Sequence, residues 1–150
     1  MANEMSTAGI SLGWVVETTP GSRPTSGFAA IPNVKTIGDM NQAPATYDAT
    51  DLSDLVWKKY IPALRDPGGA IAVTVNMNQT FATAWGSIVS AAAAGKSQSK
   101  ACWFCVTIPN WTQKWYFSGE PEPLGLPQVD TDSIFDGDVY ITPSKIEGFA

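Results

Sequence analysis

The stretch "AIAVTVNMNQTFATAWGSIVSAAAAGKS", residues 70–97, changes its hydrophobic period once, and that change decides the fold class. Ile71, Val73, Val75 and Met77 alternate with Ala70, Ala72, Thr74 and Asn76. Period-two alternation with β-branched residues is the pattern of a strand buried on one face. From Phe81 onward the apolar positions recur at three and four: Phe81, Ala84, Trp85, Ile88 and Val89. That spacing predicts one amphipathic helix over about residues 79–94. Asn78 stands at the junction as the expected N-cap. Gly95, with Lys96 just beyond it, is the expected C-cap.

Outward from this unit the chain reads as strands. Ile10 to Glu17 is β-like, and "TTPGSRPTSG", residues 18–27, is a turn-rich segment where Pro and Gly exclude regular structure. A second extended stretch spans about Phe28 to Ile37, with Pro32 demoting part of it to an edge or a bulge. Residues 39–68 form a long connection, the kind that in a compact domain is functional or disordered. Its apolar side chains (Leu52, Leu55, Val56, Trp57, Tyr60, Ile61, Leu64) argue for a loop that packs on something. "DPGG", residues 66–69, makes the turn into the strand at Ile71. Beyond the helix, strands are expected at about 100–108, 113–119 and 128–141, with "PNWT", residues 109–112, as a hairpin turn. The whole chain, 1–150, is expected to be a single, mainly β domain: a β-sandwich or barrel with one flanking helix covering an opening.

Composition narrows the function. Among 150 residues, 44% are apolar and 15% charged, and the net charge is −5. A chain of this length buries roughly 70% of its unfolded surface. The negative charge argues against nucleic-acid binding, which needs clustered Lys and Arg. Only Lys58 and Lys59 among the nine basic residues are adjacent. There is no histidine, which removes the commonest general base and zinc ligand. An enzyme here would depend on carboxylates, Lys, Tyr or a bound cofactor. The opening "MANEMSTAGISLGWVV" has no basic region and no long apolar run, so a soluble protein made in a cytoplasm is expected.

The two cysteines, Cys102 and Cys105, stand in "ACWFCVTIP" with C-x-x-C spacing. On a strand, positions three apart face opposite ways, whereas a redox pair needs a turn or helix start that joins the sulfurs. Zinc needs four ligands, and the chain has too few. The thiols are read as core filler: Cys102 lies on one face with Phe104, Val106 and Ile108, and Cys105 on the other with Trp103 and Thr107. Asp130, Asp132, Asp136 and Asp138 share even parity on the expected last strand. They could serve acid–base chemistry or hold a divalent cation. They could also be a solvated strand face, or a negative wall past which DNA phosphates slide. Trp57 and Trp103 are candidates for a protein interface, with packing inside the subunit as the alternative.

Three segments in order carry a resemblance: "STAGISLGWVVETTPGSRPTSGFAAIPNVKTIGDMN" (6–41), "TDLSDLVWKKYIPALRDPGGAIAVTVNMN" (50–78) and "VYITPSKIEGFA" (139–150). Together they resemble the tail tube (major tail) proteins of tailed bacteriophages. The segment "ACWFCVTIPNWTQKWYF", residues 101–117, departs from that pattern in its Trp and Cys content. The resemblance implies a β-sandwich-like subunit that assembles with itself into rings, typically hexameric, stacked as a hollow tube in the virion. It implies a tape-measure protein inside, tail tip or baseplate and tail terminator proteins at the ends, and DNA passing through the lumen without specific binding. Assembly in the host bacterial cytoplasm follows, with no membrane, and a non-contractile tail is preferred. It implies a structural protein, not an enzyme, with no catalytic residue, cofactor or metal.

The long loop resembles the family's ring-stacking loop, which makes Leu52, Leu55, Trp57, Tyr60, Ile61 and Leu64 the candidate stacking residues. In the isolated subunit it would be free to move and order on assembly. The N-terminus and "SKIEGFA" are expected to be interface arms. Asp130, Asp132, Asp136 and Asp138 are the candidate lumen-facing acidic residues. The alternatives are a ring-forming tail terminator or secretion-system tube component of the same fold, and a carboxylate-dependent hydrolase. The hydrolase would lose activity, not assembly, on Asp136→Asn with Asp138→Asn. Under the tube reading the same change would slow DNA ejection.

Overall fold

A computed structural model describes residues 8–66 and 69–150. The N-terminal arm expected from the sequence lies, through residue 7, outside the described residues, as does the middle of the expected turn at 66–69. Seven strands form one antiparallel sheet: β1 (Ser11–Val16), β2 (Ala29–Ala30), β3 (Val34–Ile37), β6 (Ile71–Asn76), β7 (Cys102–Thr107), β8 (Trp115–Pro121) and β9 (Asp136–Phe149). Between β3 and β6 two further strands, β4 (Thr46–Asp48) and β5 (Tyr60–Pro62), pair only with each other. One helix, α1 (Gln79–Ser97), follows β6. The mainly β class with a single helix is the one the sequence pattern predicts.

The strand order is β2-β1-β7-β8-β9-β6-β3, so β2 and β3 occupy opposite edges. Only Ile31, Pro32 and Asn33 separate them. Four Cα steps reach at most ~14 Å, whereas a flat seven-stranded sheet would hold its edges ~29 Å apart. The sheet therefore curls until its edges nearly meet. Both ends of the corner are stitched down: Ile31 N–H donates to Leu12 O at 2.8 Å, and Asn76 N–H donates to Asn33 O at 3.0 Å. Asn33 turns the corner at φ 62°. The single stretch expected over Phe28 to Ile37 is thus two edge strands, and Pro32 sits where no ladder donor is needed.

The inside of the curl is the core. Leu12, Ile71, Val73, Val75, Cys102, Phe104, Val106, Phe117, Val139 and Ile141 point inward from five strands. The helix lays Phe81, Trp85 and Ile88 across them, each burial contributing about 1.5–3 kcal/mol. Asn78 caps it as expected, its Oδ1 accepting from Phe81 N–H at 2.8 Å. Gly95 is not the cap. The helix continues to Ser97, and a Cβ on Gly95 would sit 2.6 Å from Val16 Cγ1 and 3.1 Å from Lys100 O. Glycine is there for close approach to β1.

Two other boundaries differ from expectation. The last strand starts at Asp136, not near 128; residues 128–135 are irregular, with a turn at 131–132. The strand runs on to Phe149, so the expected C-terminal arm "SKIEGFA" is mostly strand, paired with β8 from Ile141 to Phe149.

Candidate assembly surface

The β4–β5 hairpin is built by polar local chemistry rather than by a core. Ala49 N–H donates to Lys59 O at 2.7 Å and Ala63 N–H to Ala45 O at 2.8 Å. In the tip, Asp48 accepts from Thr50 N–H at 2.9 Å, Asp51 from Ser53 N–H at 2.8 Å, and Asp54 from Asp51 N–H at 3.0 Å. These are side chains closing turns on their own backbone. Hydrogen bonds from the Thr50 hydroxyl and N–H hold the Asp48 carboxyl below its ordinary range. Those from the Ser53 hydroxyl and N–H do the same for Asp51.

The apolar side chains of this element face solvent. Leu52 is 99% exposed, Leu55 89%, Val56 82%, Trp57 83% and Leu64 92%, with Tyr60 and Ile61 about half exposed. None belongs to a core cluster of this chain. Among the described residues, therefore, these side chains join no core cluster, although they are those of a packed element. An isolated two-stranded hairpin is marginal in water, and monomers rarely expose apolar patches above a few hundred Å². Seven such side chains approach the ~800 Å² that one partner gives to a standard interface. All six residues singled out from the sequence (Leu52, Leu55, Trp57, Tyr60, Ile61 and Leu64) fall on this one projecting element.

The acidic set does not stay together. Asp136 and Asp138 share the outward face of β9, where Lys35 Nζ pairs with Asp136 at 2.9 Å and Thr74 Oγ1 donates to Asp138 at 2.6 Å. Asp130 and Asp132 lie in the irregular segment before the strand, so the parity that grouped them does not apply. Among the described residues no group of three or more His, Cys, Asp or Glu side chains is placed to hold a metal ion. No described helix is long and apolar enough to cross a membrane.

The cysteines face opposite ways, as strand parity requires. Cys102 is in the main core, where burial pushes its thiol up to about 12. Cys105 lies on the outer face with Trp103 and Tyr116. Trp103 is not an interface residue of the free chain: it is 4% exposed, and its indole donates to Glu17 Oε2 at 3.0 Å. Sequence reasoning passed over that carboxylate and Arg23, which stacks 4.0 Å over Tyr116. Their only signal was a lone acid closing an apolar strand and a lone base between two prolines.

No family model matches this chain, and no curated protein does. Among solved structures, it is similar to a chain in the cryo-EM structure of the anti-feeding prophage baseplate, 6-fold symmetrised. The likeness has a TM-score of 0.58 and covers 99% of this chain and 97% of that one, at 8% identity. The curled sheet with one helix is thus a complete shared fold rather than a shared fragment.

Proposed function

We propose that this chain is a structural subunit of a phage-tail-like particle, and within it a subunit of the tail tube that stacks in rings. The observation that carries the reading is the hairpin with seven exposed apolar side chains, none of them in a core cluster of the described residues. Such an element makes sense when a second copy covers it. A heterologous contact of that kind closes into rings or continues into filaments. The likeness to a baseplate chain supports a tail-like setting, and the 6-fold symmetrisation of that particle fits a hexameric ring. In this role the chain carries no catalytic residue. Asp136 and Asp138 remain as acidic groups on an outward strand face, suited to a surface DNA passes without sticking.

Sedimentation velocity across a concentration series tests this. Wild-type protein is expected to form large assemblies, and the double variant Leu52→Ser with Trp57→Ser to stay monomeric. Both side chains are more than four-fifths exposed, so the substitutions should leave folding within about 0.5 kcal/mol. Equal assembly by variant and wild type would sink the stacking role. A second reading is favoured by the baseplate likeness itself: one closed ring of the same fold that never stacks. It would appear as a single discrete oligomer at every concentration.

A further inference from the structure

The outer face of the sheet carries a second apolar cluster, Trp103, Cys105 and Tyr116, each at most 6% exposed. What covers it is the segment Thr18–Phe28. Gly13 pairs with Cys105, and a Cβ on Gly13 would lie 3.1 Å from Phe28 Cβ. Phe28 therefore fills the space a side chain on Gly13 would take, packing on the cluster with its ring 5.8 Å from Tyr116. At mid-segment, Arg23 lies over the Tyr116 ring, 4.0 Å from its centroid, and pairs with Glu147 at 3.2 Å. Glu147 is the extra residue where β9 bulges between Ile146 and Gly148, which turns its carboxylate toward the segment.

The attachment is sparse. Among the described residues, the backbone from Thr18 to Phe28 makes two hydrogen bonds outside the ladder, Ser22 N–H to Thr19 O and Gly21 N–H to the Glu17 carboxylate, and neither reaches a strand backbone. Arg23 Nη1 is buried without a hydrogen-bond partner, so the central fastening is itself imperfectly satisfied. By contrast the base of the segment is fixed: Glu17 N–H donates to Ala101 O at 2.9 Å, and its carboxylate accepts from Ala101 N–H at 2.7 Å. A segment tied at both ends and held between them by a few side-chain contacts is the structural form of a locally opening unit.

We propose that Thr18–Phe28 is a releasable strap that keeps a second apolar face of this chain covered and restrains self-association until it lifts. The partner for the uncovered face is a second copy, so the inference rests on the assembly reading above.

The test uses the two thiols as internal reporters. Native-state alkylation with iodoacetamide is followed for each cysteine in wild type, Arg23→Ala and Glu147→Gln. Removing the fastening should raise the Cys105 rate about 3- to 10-fold while the Cys102 rate, governed by the main core, stays unchanged. Parallel acceleration of both thiols, which signals global destabilisation, or no change at Cys105, overturns the strap. In the same samples the concentration at which light scattering rises should fall for both variants. An unchanged threshold overturns the restraint while leaving the assembly reading intact. Absence of association in wild type and variants alike overturns both, and the alkylation rates still report on the strap alone.

Discussion

Glu17 directly follows β1 on the outer face, 4% exposed, with the N–H of Ala101, the Trp103 indole and the N–H of Gly21 all directed at its carboxylate. Burial pushes this carboxyl up, but those three donors and the charge of Lys145 outweigh it and hold it below the ordinary 4.5. The folded state thus prefers the ionised form. Its contribution to stability is fully present above 4.5 and is lost as pH falls through the lower folded value. Glu17→Gln replaces an acceptor of three hydrogen bonds by an amide and should cost about 1–3 kcal/mol at neutral pH. Thermal melts of both proteins should differ by a constant amount above pH 5 and converge in more acid solution. A gap that widens on acidification would contradict this assignment. Gly95 makes a second prediction. Gly95→Ala drives a methyl into Val16 and Lys100 O, and should cost about 1–3 kcal/mol, a Tm loss of ~2–4 °C per kcal/mol.

The elements divide by how their structure is determined. The β6 alternation, the Asn78 cap, the helix stripe and the opposed cysteines were legible in the sequence because each depends on the local period of one element. The corner at Ile31–Asn33 was not, since nothing within that stretch says that β2 and β3 belong to opposite edges of a closing sheet. The start of β9 was missed because it is set by where the partner strand β6 ends, Asn76 opposite Asp136, which the stretch 128–141 does not reveal by itself. The candidate stacking residues were legible as an apolar loop, but their exposure among the described residues is a property of the folded chain. In the hairpin, Asp48 and Asp51 close the turns as ionised acceptors, with carboxyls held below the ordinary 3.8. Their support is present above 3.8 and disappears as pH falls through the lower folded values. The amide shifts of Thr50 and Ser53, followed by NMR, should titrate together only below pH 3.8. Titration at the ordinary value would mean that the turns are not formed in solution.

At the scale of the whole molecule, the curled sheet encloses a core of its own, while the most exposed apolar side chains, Leu52, Leu64 and Leu55, stand on the hairpin outside it. That division suits a subunit that folds alone and then adds to copies of itself. Negative-stain electron microscopy of the purified protein across a concentration series tests this most directly. Hollow tubes of uniform width and variable length are the predicted result. Monomers at every concentration, with tail-tip components added as nuclei, would contradict it.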